Sequence, residues 1–207
     1  MHNHESLGIF LRFSSFICNF LCVVFWVLLI FGFDEPASAG ATLLAVMVHE
    51  GGHELCLLLR QGEFSKMRGA PLGFKIEASG ALSYKDELAL LSAGAAANII
   101  FALAALPFSY FSGWQGYAHT LMTVNLATAV SNLIPVRGRD GYGILRTLAE
   151  RNESEDLMRF ADICSFTVSL GLCFLSLYLM QRLGEGYWIF AVFFFSLFCE
   201  VSHGLKK

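Results

Sequence analysis

From Leu88 to Val136 the chain carries no Asp, Glu, Lys or Arg, and from Phe13 to Phe33 it carries none either. A bilayer core takes roughly 20 helical residues, so such runs are long enough to cross one, and the longer run crosses twice. Pro107 and the Ser/Gly/Trp cluster from Ser109 to Gly116 divide it. Only 15% of the residues are charged and 56% are hydrophobic, against about 25% charged in soluble domains. The expected architecture is an all-α polytopic membrane protein with six transmembrane helices in one membrane-embedded domain over 1–207. The spans fall at about 13–33, 41–59, 88–107, 117–135, 157–181 and 187–203.

The basic residues test this arrangement independently, because cytoplasmic loops carry the excess of Lys and Arg. With the N-terminus inside, all of the 14 basic residues except Arg182 fall on the cytoplasmic side. A missed or added span would destroy that split, so both termini are expected to be cytoplasmic. Gln61 to Asp86, between spans two and three, is too short and too polar to cross. Its apolar residues are interspersed with glycines, which gives a short β-prone loop able to pair with an extended peptide.

The net charge of -3 and the absence of basic runs interleaved with aromatics exclude a nucleic-acid partner. The six cysteines lie almost wholly in apolar segments without a C-x-x-C pair, as expected of reduced packing residues.

Within span two, His49-Glu50-Gly51-Gly52-His53 has the pattern H-E-x-x-H. Residues four apart share a helix face, so two imidazoles can hold one metal ion while the carboxylate reaches its water. Ionisable groups at this depth are costly and mark function. A catalytic zinc takes three protein ligands, and Leu59 stands where the extended metalloprotease pattern has its third His. Glu63 and Glu77 are downstream alternatives in the basic loop, but Asp140 is better placed, on the same side of the membrane as the exit of span two. His53 and His49 lie roughly 10 and 16 Å below Arg60. Asp140 can reach them only if span four stops at Pro135 and the glycines at 138, 141 and 143 let the chain fold back into a protein-lined cavity.

With these residues in place the chain resembles the site-2 proteases, the intramembrane zinc metalloproteases. His49-Glu50-Gly51-Gly52-His53 matches their first motif, and Asn132-Leu133-Ile134-Pro135 with Asp140-Gly141 their second. Ser92 to Asn98 resembles their third-helix A-G-P-x-x-N segment. The resemblance covers roughly 41–146 and is closest to the compact bacterial branch typified by the sporulation-factor-processing enzyme, which has no PDZ domain. It implies one zinc ion on His49, His53 and Asp140, with Glu50 as catalytic base, and hydrolysis of a membrane-tethered protein or peptide near the cytoplasmic face of a bacterial cell membrane, in regulated proteolysis. It also offers Asn98 and Asn132 as candidates to bind the substrate backbone or the oxyanion. Three departures stand out: Tyr142 for a second glycine, Ala95 for proline, and the flexible pair Gly51-Gly52. The alternative is a catalytically inactive homologue that binds membrane partners. A transporter would show internal repeats, and none is seen.

Overall fold

A computed structural model of the chain describes residues 36–61, 66–70, 73–77 and 82–183, together with Phe194 and Leu197. The element order is α1 (Pro36–Gln61), β1 (Lys66–Ala70), β2 (Gly73–Glu77), α2 (Tyr84–Ala105), a 3-10 turn (Leu106–Tyr110), α3 (Gln115–Leu133), α4 (Asp140–Arg151) and α5 (Glu155–Leu183). The expected span at 13–33, and that at 187–203 but for Phe194 and Leu197, lie outside the described residues. Among those described, three helical stretches are long and apolar enough to cross a bilayer: Ala37–Arg60, Tyr84–Tyr110 and Glu155–Arg182. Helix α3, rich in Thr, Asn and Ser, occupies the fourth expected span and is not among these three.

Large and small side chains are distributed in the reverse of a soluble protein. The buried residues are mostly small, among them Ala41, Ala45, Ala95, Ala102 and Ala129, whereas Ile100, Leu103, Ile163 and Phe174 are exposed. Lipid offers no hydrophobic drive for helices to associate, so close packing of small residues does that work while bulky side chains face the hydrocarbon. Helices α1, α2 and α3 pack against one another, and α4 packs against all of α2, α3 and α5.

Local sequence sets the ends of these helices. Ser83 caps α2 by accepting the Asp86 amide, with Asp86 and Glu87 in the first turn, where carboxylates complement the helix dipole. Asp86 also pairs with Arg60 at 2.7 Å, tying the end of α1 to the start of α2 on one side of the bundle. Between them β1 and β2 form an antiparallel hairpin, Lys66 opposite Glu77 and Ala70 opposite Gly73. Beyond α2, Pro107 starts the 3-10 turn and Gly113 has φ +92°, a left-handed conformation suited to glycine. Phe108, Tyr110, Phe111 and Trp114 around this turn are exposed, as in the aromatic belts at membrane interfaces.

The two glycines of the H-E-x-x-H segment do different things. A Cβ on Gly52 would come within 2.7 Å of the Ala93 carbonyl oxygen and of the Ala97 methyl, whereas one on Gly51 would meet nothing within 4 Å. Gly52 therefore permits the α1–α2 crossing, and the expectation of a flexible pair gives way to one contact glycine beside one exposed glycine. Gly51→Ala is expected to stabilise the chain by up to about 1 kcal/mol through helix propensity. Gly52→Ala is expected to cost about 1–3 kcal/mol through overpacking. Thermal unfolding in detergent would show the opposite signs, and equal shifts would refute the assignment.

Candidate metal centre

Two ridges of residues spaced four apart interdigitate where α1 meets α2. Ala45, His49 and His53 run down one helix, and Asn98, Gly94 and Leu90 run down the other in the antiparallel sense. His53 Nδ1 lies 2.8 Å from the Leu90 carbonyl oxygen. A carbonyl can only accept, so Nδ1 carries the hydrogen and Nε2 keeps its lone pair. His49 Nδ1 lies 3.2 Å from Asn98 Oδ1. The Asn98 amide donates to the Ala45 carbonyl at 2.9 Å and to Asn125 Oδ1 at 3.0 Å, so its oxygen faces His49 and accepts from Nδ1. In their neutral form both imidazoles thus present a bare Nε2.

Asp140 reaches this point from a separate part of the chain. Helix α3 ends at Leu133, Ile134 is extended, and Gly138 turns the chain with φ +88° before Asp140 opens α4. Arg139, the N-cap of α4, donates to the Ser131 carbonyl at 2.8 Å and so satisfies part of the end of α3. Gly141 rests so close on Leu133 and Ile134 that a Cβ there would overlap their backbone. The 12 residues of α4 span about 18 Å, comparable with the depth of His49 estimated from the sequence. The fold-back that the depth of the histidines requires is therefore made by a helix starting beside them.

The three converging atoms form a nearly equilateral triangle. His49 Nε2 and His53 Nε2 are 3.2 Å apart, and Asp140 Oδ2 lies 3.1 Å from the first and 3.3 Å from the second. Tetrahedral zinc with bonds of about 2.0–2.1 Å gives ligand-to-ligand edges of about 3.3 Å. Asp140 Oδ2 is buried and accepts no hydrogen bond. A buried carboxylate oxygen between two nitrogen lone pairs is repulsive unless a cation lies among them, so the donor set fits a metal ion. His49, His53 and Asp140 are the group of His, Cys, Asp and Glu side chains arranged for a metal among the described residues. Glu50, half-buried one position beyond His49, interacts electrostatically with both histidines and with Asp140.

The structure separates the two asparagine candidates. Asn98 is fully buried, donates both of its amide hydrogens inside the protein and turns its oxygen to His49. Asn132 is half-buried and bonds to the Thr128 carbonyl of its own helix at 3.1 Å. Asn125, which no motif singles out, is fully buried and joined to Asn98. The available signal was an amide midway along an uncharged helix.

Tyr142, Arg137 and Asp162 join the Asp140 segment to α5. Tyr142 donates to Asp162 Oδ1 at 2.7 Å, and Arg137 pairs with the same oxygen. The Arg137 amide donates to Ser165 Oγ at 2.7 Å. The side chain that replaces the second glycine thus fastens the Asp140 segment to α5.

With this geometry the chain is similar to the site-2 protease from Methanocaldococcus jannaschii, with a TM-score of 0.63 and 21% identity over 90% of this chain and 87% of that one. The two proteins share a fold. No family model matches the chain, and no curated protein matches it. Three helical stretches of this shared fold are, in this chain, long and apolar enough to cross a bilayer.

Proposed function

We propose that this protein is an intramembrane zinc metalloendopeptidase that hydrolyses a peptide bond of a membrane-tethered substrate near the cytoplasmic face, in regulated proteolysis. The observation that carries this reading is the triangle of His49 Nε2, His53 Nε2 and Asp140 Oδ2 beside Glu50, deep in an apolar helix. His49, His53 and Asp140 would hold one zinc ion. A zinc ion there supplies Lewis acidity, activating water and polarising the scissile carbonyl. Glu50 takes the proton of the attacking water and returns it to the leaving amine. Asn132 is assigned to the substrate backbone or the oxyanion, and the two-stranded hairpin offers backbone edges to an unwound substrate. The whole chain is read as one domain of six spans with both termini cytoplasmic, in a bacterial cell membrane, as its basic residues favour.

Purified full-length chain is expected to carry one zinc per protein by elemental analysis. Asp140→Asn keeps the shape of the side chain but removes the anionic donor, and it is expected to weaken zinc binding by more than the roughly 10–100-fold usual for losing an outer partner of a metal ligand. An Asp140→Asn protein with full zinc content and activity would overturn the third-ligand assignment.

A further inference from the structure

Asn125 sits midway along α3 with no exposed surface, an environment where an amide must find partners. Its Nδ2 donates to the Leu121 carbonyl at 2.8 Å, which fixes which end of the amide is oxygen. That oxygen accepts from Asn98 Nδ2 at 3.0 Å, and the same nitrogen donates to the Ala45 carbonyl at 2.9 Å. Asn98 Oδ1 is left facing His49 Nδ1. Every polarity in this chain is set by backbone carbonyls, which can only accept.

We propose that Asn125 is a positioning residue for the metal centre: through Asn98 it selects the tautomer and ring orientation of His49 that leave Nε2 free to bind zinc. The inference rests on the metalloprotease reading above. If Asn98 turned over, its NH2 would face His49 Nδ1 and favour a hydrogen on Nε2, the nitrogen needed for the metal. That reversal would break the bonds to Ala45 and to Asn125 and set oxygen against oxygen at both places. Without Asn125 only the Ala45 carbonyl resists it. Partners that orient a ligand histidine commonly govern metal affinity.

The discriminating variant is Asn125→Ser. A serine in a helix can bond to the carbonyl four residues back, so the link to Leu121 survives, but the side chain is too short to reach Asn98. Zinc affinity is measured on the full chain in detergent by competition with a chromogenic chelator, and the ligand field is read from the visible spectrum of the cobalt-loaded protein. Asn125→Ser is expected to bind zinc about tenfold more weakly and to alter the cobalt band. In an Asn98→Ala background the same substitution is expected to add no further loss, because Asn125 acts through Asn98. Wild-type affinity in Asn125→Ser, or losses that add in the double variant, would reduce Asn125 to a link between helices and overturn the proposal. Should Asn125→Ser fail to accumulate, Asn125→Leu is held to the same two criteria. Failure of the unaltered chain to bind zinc or cobalt would instead sink the metal reading, and this inference with it.

Discussion

Glu50→Gln is expected to abolish cleavage of a membrane-tethered substrate while zinc content stays at the wild-type level. The substitution leaves the side-chain shape almost unchanged, and α1 is held by contacts that do not involve Glu50: the Gly52 crossing on Ala93 and Ala97, and the bonds of His49 and His53 to Asn98 and Leu90. Only the ability to accept a proton is removed. Loss of a positioned general base costs typically about 10²–10⁴-fold in rate, which puts residual turnover below detection in a membrane assay. The same variant should retain bound substrate, so affinity isolation from native membranes is expected to capture the protein that the unaltered enzyme cuts. If a Glu50→Gln strain keeps the full biological activity of the wild type, the chain is an inactive homologue that acts by binding.

Parts of this centre were legible in the sequence because they obey local rules. His49 and His53 are four apart on one helix, and that spacing alone puts two imidazoles on one face. Asp140 was legible less directly. The depth of the histidines demanded a break near Pro135, and the chain does leave helix α3 at Leu133 and restart at Asp140. What escaped the sequence depends on the register between helices, which no periodicity encodes. The partner of His53 is the Leu90 backbone carbonyl, and no side-chain pattern can announce it. Asn125 matters because α3 sets it against Asn98, and Gly52 differs from Gly51 because one of them faces α2. Asp162 bears on the centre only because the fold brings Arg137 and Tyr142, which flank Asp140, onto it.

That register makes Gly94→Ala a substitution that acts directly on both histidine ligands. A Cβ at this position would lie 2.5 Å from His53 Nε2, 2.6 Å from His49 Cε1 and 2.8 Å from His49 Nδ1. Carbon atoms pack at about 3.5–4.0 Å, so one methyl group requires a displacement of about 1 Å. The rings have little room to yield, because α2 itself holds both of them, through Leu90 one turn before Gly94 and Asn98 one turn after it. Metal sites tolerate errors of only about 0.2 Å in ligand distance. Gly94→Ala is therefore expected to lower zinc affinity at least as far as losing a ligand's partner does, about 100-fold, with cleavage lost alongside. Overpacking can lower fold stability here as at Gly52, so zinc affinity is compared on variant protein that thermal unfolding shows to be folded. Gly116→Ala, where an added Cβ would meet nothing within 4 Å, is the control expected to keep its zinc. Stoichiometric zinc in purified Gly94→Ala would mean that α2 does not press against the two histidines, and the interlocked ridges that orient them would have to be abandoned.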